Sequence, residues 1–308
     1  MARPFRIGTR GSPLALTQAN LARSLLAAAH ERDASAFEIV PIRTTGDRVQ
    51  DRPLAEIGGK ALWTKELDRA LIEGEIDCAV HSMKDVETIR PSAIVIAAIL
   101  ERADVRERLL GASSIEALPL GAAIGTSSPR RAAQMRRMRP DLRIVPLRGN
   151  VDTRIAKLTT GEADATLLAA AGLERLGRGE VGVALPIETM LPAPSQGAIG
   201  IEVRASDADA RALVGAIDHA DTHACVMAER ALLAALEADC HSPVAAHARF
   251  EGGVMVLAAQ LLSEDGAEHV TGSLSGHDGI TLARALARDL IERAPAAVCA
   301  RFGSCDAA

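Results

Sequence analysis

Tyrosine is absent from this 308-residue chain, and four Phe and one Trp bring the aromatic share to only 2%. That scarcity argues against base-stacking platforms, aromatic cages and an interfacial aromatic belt. Five cysteines are too few, and odd in number, for a disulfide scaffold. The longest apolar runs, such as Ser92–Leu100, fall well short of the roughly 18 residues that span a bilayer. The N-terminus carries no apolar signal core, so the expected setting is a reducing, cytoplasmic one without membrane contact. There is no P-loop, no G-x-G-x-x-G and no Cys/His set at metal-ligand spacing. With a net charge of −5, nucleic acid is a disfavoured partner.

What is present is ordinary globular balance, 48% hydrophobic and 24% charged, with a lopsided choice of cation. Only four of the 35 basic residues are lysine (Lys60, Lys65, Lys84, Lys157); the other 31 are arginine. Codon bias explains this as well as bidentate recognition of carboxylate or phosphate does, and position along the chain must decide.

Strand and helix signals alternate from the start. Arg6–Thr9 reads as a strand, and Ser12-Pro13 opens a helix to about Ala29. Strands at Phe37–Arg43 and Ile76–His81 flank a polar connection, Thr44–Lys60, and a helix, Ala61–Glu73. The apolar run Ala93–Leu100 suggests a strand buried on both faces. The second stretch repeats the grammar: strands at Ala122–Thr126, Leu142–Pro146 and Asp164–Ala169, a helix opened by Ser128-Pro129, and another over Val151–Thr160. Such alternation indicates α/β layers with mostly parallel pairing. Two echoes suggest a duplicated plan: Ile7-Gly-Thr with Ile124-Gly-Thr, and Gly74-Glu-Ile-Asp77 with Gly161-Glu-Ala-Asp164. After about Ala220 comes a long helix, Thr222–Ala238. Strands follow at Val244–Phe250, Val254–Leu262 and Glu268–Ser275, then a helix near Ile280–Arg293, a small α+β pattern.

Both Ser-Pro helix starts offer unpaired N–H groups and a positive dipole end to an anion. Capping alone explains Ser and Pro but not the neighbouring Arg10, Arg130 and Arg131. Arg148, Arg154 and Arg175 collect nearby, and Arg148 beside Gly149 sits at a strand-to-helix junction, of the kind that faces ligand crevices in open α/β sheets. His81-Ser82-Met83-Lys84-Asp85 places a cation and a carboxylate at a strand end. The arrangement suits a salt-bridged loop, or a group that stabilises a cation and shuttles a proton. Cys240 lies in a turn-like break; spacing alone does not separate a reactive thiol from an ordinary one.

These residues fall in motifs that resemble the porphobilinogen deaminase (hydroxymethylbilane synthase) family over nearly the whole chain. The motifs are Thr9-Arg-Gly-Ser-Pro-Leu-Ala-Leu16, Gly58-Gly-Lys60, His81-Ser-Met-Lys-Asp-Val86, Gly125-Thr-Ser-Ser128 with Arg130-Arg131, Leu147-Arg-Gly-Asn-Val151 with Arg154, Ala171-Gly-Leu173 with Arg175, and Gln196-Gly197. The resemblance implies a transferase that joins four porphobilinogen molecules head to tail into hydroxymethylbilane, releasing ammonia at each step. It implies a dipyrromethane cofactor held by a thioether to Cys240, and Asp85 as the catalytic carboxylate. Its binding residues would be Arg10, Ser12, Lys60, Ser82, Lys84, Thr126, Ser128, Arg130, Arg131, Arg148, Arg154, Arg175 and Gln196, with no metal.

The implied fold is two α/β domains like those of type II periplasmic binding proteins, with the active site between them, plus a small α+β C-terminal domain. The expected boundaries are 1–101 with a return segment 196–218, then 102–195, then 219–308, in a monomer. Departures from the family pattern include Glu87 for Pro, Ser195 for Gly, and Asp239 and His241 around Cys240. A non-catalytic anion-binding protein of the same two-lobed fold is the competing reading, and a ligand-sensing regulator a third; the latter lacks a visible DNA-binding element.

Overall fold

The computed structural model describes residues 3–44 and 64–302 of the chain. In chain order the elements are β1 (Phe5–Arg10), α1 (Pro13–Ala29), β2 (Phe37–Ile42), α2 (Lys65–Ile72), β3 (Cys78–Ser82) and β4 (Ile94–Ile99). Next come β5 (Glu107–Leu110), β6 (Ala123–Gly125), α3 (Pro129–Met138), β7 (Arg143–Val145), α4 (Val151–Thr159), β8 (Ala165–Ala169), α5 (Ala170–Arg175) and β9 (Val183–Ala184). The chain ends with β10 (Ile199–Arg204), α6 (Ala208–Gly215), α7 (Ala220–Ala235), β11 (Val244–Glu251), β12 (Val254–Leu262), β13 (His269–Gly276), α8 (Gly279–Arg293) and α9 (Ala296–Cys299). Two compact units result: Met1–Ala103 with Ala198–His223, and Asp104–Gly197 with Ala224–Ala308.

The first unit holds a five-stranded sheet in the order β2-β1-β3-β10-β4. β1 pairs in parallel with β2 and β3, while β10 runs antiparallel between β3 and β4. Ile7, Val80, Ile201 and Val203 point into a core closed by Ala19, Ala22 and Leu26 of α1. β4 corrects the expectation of a strand buried on both faces. It is an edge strand paired only to β10, and Val95, Ile96 and Ala97 keep part of their surface exposed.

The second unit repeats the order as β7-β6-β8-β5-β9, again with a parallel trio and one antiparallel strand, β5, inserted beside it. The pairing is therefore mixed rather than mostly parallel. A further antiparallel sheet, β11-β12-β13, packs Leu257 and Leu261 against Leu232 of α7, Leu236 just after it, and Leu286 and Leu290 of α8. It shares the compact unit with the second sheet. Ala246 N–H donates to Pro192 O at 3.1 Å, and Gln134 Nε2 to Gln260 Oε1 at 3.1 Å. The architecture is α/β, two mixed sheets with flanking helices and a small third sheet.

The echoes in the sequence occupy equivalent places. Asp77 N–H donates to Arg6 O at 2.9 Å, and its carboxylate accepts Arg6 N–H at 2.8 Å. Asp164 does the same to Ala123, at 2.8 Å and 2.6 Å. Gly74 and Gly161, with φ of 73° and 77°, end the preceding helices in the left-handed conformation that glycine adopts without strain.

Candidate active site

Within the first unit, the candidates lie at the C-terminal ends of neighbouring strands, where ligands bind open α/β sheets. Arg10 ends β1, and Ser12 caps α1 by accepting Ala15 N–H at 3.3 Å. On the adjacent strand, β3 ends at Ser82, whose hydroxyl exchanges hydrogen bonds with the buried Gln18 of α1 at 2.8 Å and 3.1 Å. A single 3-10 turn, Met83–Asp85, then presents Lys84 and Asp85, both half-buried. Met83 anchors the turn. Its side chain is buried against Gly200 of β10, so closely that a Cβ there would fall 2.0 Å from the Met83 sulfur. Beneath lies Glu202 of β10, fully buried. Arg90 Nε and Nη2 donate to its two oxygens at 2.8 Å and 2.9 Å, and His81 Nε2 stands 3.1 Å away. Burial pushes the Glu202 carboxyl up, but His81 and Arg90 outweigh it and hold it at about 2. Arg90 also reaches Asp68 at 2.5 Å and Glu87 at 2.7 Å, so the Pro-to-Glu departure at 87 has a partner.

In the second unit, β6 runs out at Gly125 into Thr126, whose Oγ1 accepts Ser128 N–H at 3.1 Å. Ser128 caps α3, accepting Arg131 N–H at 3.4 Å. Thr126 N–H donates to Val145 O and Ser127 Oγ to Leu147 O, so this turn is tied to the segment that leads into Arg148. Arg154 Nε donates to Gly149 O at 2.9 Å, and Asn150 caps α4. After β8, Arg175 donates Nη2 to Gly197 O at 2.7 Å. Burial lowers its guanidinium to about 10, still cationic at neutral pH and with desolvation that an arriving carboxylate would offset.

Arg130, Arg131 and Gln196 lie deeper than the spacing implied. All three converge on Glu107, the first residue of β5, which is fully buried. Arg130 Nη2 contacts Glu107 Oε1 at 2.5 Å. Arg131 forks onto both oxygens with Nε at 3.1 Å and Nη2 at 2.7 Å, and Gln196 Nε2 adds a bond at 3.1 Å. Burial pulls the Arg130 guanidinium down and Glu107 opposes it. Ser195, before Gln196, has φ of 65°; its N–H is taken by the buried carboxylate of Glu229 at 2.5 Å, which also accepts Ala248 N–H at 2.7 Å. Serine thus stands in a glycine conformation at the Gly-to-Ser departure, held by α7.

Cys240 is exposed, in the turn between α7 and β11. Asp239 Oδ1 accepts His241 N–H at 2.8 Å, and Ser242 Oγ accepts Asp239 N–H at 3.1 Å, fixing the turn. Cys78 and Cys225 are buried and Cys299 partly so. Lys60, Trp63 and the Gly58-Gly59 pair lie outside the described residues. Among the described residues no group of three or more His, Cys, Asp or Glu could hold a metal ion.

Gln18, Arg90, Glu107, Glu202 and Glu229 escaped the sequence reading. The one signal was Gln18, an amide at a core position of an apolar helix; the carboxylates resembled surface charge.

The family model "Porphobilinogen deaminase, dipyromethane cofactor binding domain" matches residues 5–212, and "Porphobilinogen deaminase, C-terminal domain" matches 223–294. A porphobilinogen deaminase from Sphingopyxis alaskensis is 59% identical over 301 residues, 96% of this chain and 95% of its own. One from Paracoccus denitrificans is 50% identical over 299 residues, 95% of each. Among solved structures, an ancestral cationic amino acid solute binding protein is 16% identical, with a TM-score of 0.43, covering 69% of this chain and 86% of its own.

Proposed function

The chain belongs to the porphobilinogen deaminase family, and from that premise we propose which of its residues hold the cofactor, bind substrate and assist the chemistry. The activity is that of hydroxymethylbilane synthase, a transferase of tetrapyrrole biosynthesis that condenses porphobilinogen with loss of ammonia and carries dipyrromethane.

The donor set fits that cofactor. Each pyrrole ring bears an acetate and a propionate, so the bound chain is a polyanion, and guanidiniums match carboxylates bidentately. Arg10, Lys84, Arg131, Arg148, Arg154 and Arg175 bind these carboxylates, helped by Ser12, Ser82, Thr126 and Ser128 and, from outside the described residues, Lys60. Arg130 and Gln196 contribute through Glu107. When bound, dipyrromethane supplies the electron-rich pyrrole carbon on which the product is built. Asp85 holds a carboxylate at the end of β3. There it stabilises positive charge on a pyrrole nitrogen and accepts or returns a proton as the amine departs.

Its place in the family motif, together with an exposed thiol, supports Cys240 as the attachment point. A thioether needs a thiol that a ligand can reach, and Cys78 and Cys225 are closed off. Burial also pushes the Cys78 thiol well up, away from the reactive thiolate. Cys240→Ser is expected to lack the dipyrromethane mass in intact-protein spectrometry, whereas Cys225→Ser keeps it. Cofactor retained in Cys240→Ser would overturn the assignment. The division into domains at 1–101 with 196–218, 102–195 and 219–308, a monomeric state and a cytoplasmic setting belong to the same proposal; sedimentation velocity tests the monomer.

A further inference from the structure

Glu107 has no place in the proposed chemistry, yet four side-chain hydrogen bonds converge on its carboxylate. It is fully buried at the head of β5 and meets two guanidiniums that are themselves only 4% and 7% exposed at their side chains. Burying three charges is unfavourable unless each finds compensation in good geometry. Arg130 has that compensation without a ligand. Its Nη1 donates to Gln134 Oε1 at 2.9 Å and Leu191 O at 3.2 Å, and its Nη2 to Glu107. Its Nε is buried with no hydrogen-bond acceptor, and the three bonds of the outer nitrogens hold the side chain where it stands. Arg131 differs. Its Nε and Nη2 fork onto Glu107, and Nη1 lies outside that fork. Its own N–H meets the Ser128 cap at the head of α3, the end of the helix that attracts anions. One carboxylate against two guanidiniums leaves a surplus positive charge in a dry setting, where it acts on an anion with little screening.

Resting on the reading of Arg131 as a carboxylate-binding residue, we propose that Glu107 is a positioning residue for substrate recognition. It fixes the guanidinium plane of Arg131 toward a ligand carboxylate, while Arg130 and Gln196 serve Glu107 and do not touch the ligand. Gln196 donates to the same Glu107 oxygen as Arg130, and also to Val105 O at 2.8 Å. Through Ser195 and Glu229, this support continues into α7 and β11.

Glu107→Gln strips the buried arginines of their counter-charge and is expected to unfold the unit, so the test uses Glu107→Asp, which keeps the charge but retracts it by one methylene. In the holoenzyme, Glu107→Asp is expected to raise KM for porphobilinogen about tenfold, with kcat within about threefold of wild type. Arg131→Lys is expected to do the same, and the double variant to be no worse than about tenfold, since one residue acts through the other. Arg130→Lys, which loosens Glu107 by removing one of its guanidinium partners, gives a second route to the same KM rise. Calorimetric Kd for porphobilinogen, measured on these variants in the slow Asp85→Asn background, which keeps the attachment cysteine, is expected to weaken in parallel. Raised KM in Arg131→Lys with unchanged KM and Kd in Glu107→Asp and Arg130→Lys overturns the inference alone. So does a double variant near the product of the two, about a hundredfold. Unchanged KM and Kd in Arg131→Lys overturns the placement of Arg131 itself, and the inference with it.

Discussion

In the first sheet the inserted antiparallel strand, β10, carries Glu202, met by Arg90 and His81, with Asp68 and Glu87 sharing the same guanidinium. In the second sheet the inserted strand, β5, carries Glu107, met by Arg130 and Arg131. Strand order and the aspartate fastening at the base are common to both. The balance of charge is opposite. Carboxylates outnumber guanidiniums beneath the turn that bears Asp85, and guanidiniums outnumber carboxylates beneath the Ser128 helix start. One scaffold, used twice, has been specialised by its buried ion pairs. In the proposed assignment the first copy supports the catalytic carboxylate Asp85 beside some of the anion-binding cations, and the second supports arginines alone.

The largest expected effect divides the copies by kinetic parameter. Asp85→Asn should retain the far-UV spectrum and melting temperature yet lower kcat by about 10²- to 10⁴-fold, the span of a general acid–base group. Losses confined to KM would merge the two copies into one role. Next comes Glu202→Gln, which removes one partner of a buried pair and should cost about 3–5 kcal/mol at neutral pH, read by denaturant unfolding. Because the folded carboxyl sits at about 2 against an ordinary 4.5, the native state binds fewer protons between those values. Its stabilising share is therefore present above pH 4.5 and lost as pH falls toward 2. The gap between wild type and Glu202→Gln should close over that window; a constant gap would show that the charge is not what Glu202 contributes. The smallest effect concerns the paired helix starts. Ser12→Ala and Ser128→Ala should each lower stability by about 1 kcal/mol through loss of an N-cap. A much larger cost at Ser128 alone would mean that the cap also orders Arg131.

Much of this was legible in the sequence. The Ser-Pro starts fixed the heads of α1 and α3, and β12 spans the apolar stretch Val254–Leu262 that alternation picked out. The echo of Gly74–Asp77 with Gly161–Asp164 proved to be the repeated fastening of two sheets. β5 was missed because Glu-Arg-Leu-Leu is short and charged, and its strand character comes from β8 and β9 on either side. The buried carboxylates were invisible for a related reason. A glutamate looks solvated until its arginine arrives from elsewhere, and burial is a property of the fold rather than of the residue. Arg130 and Arg131 were read correctly as a pair at a helix start, but their direction is set by Glu107, 23 and 24 residues earlier.

That difference in separation has a consequence for the order in which the protein can be made. Every strand of the second sheet lies between residues 107 and 184, and its buried carboxylate meets arginines within 24 residues. The first sheet cannot close until β10 emerges, because Arg90 waits 112 residues for Glu202. On the ribosome, where N-terminal segments usually lead, the later half of the duplicated plan has all its strands synthesised first. The first half holds an unfilled slot between β3 and β4 until residue 204 has been added. Slow translation or a chaperone's grip over that interval would act on the N-terminal unit, although its strands are the first to be synthesised.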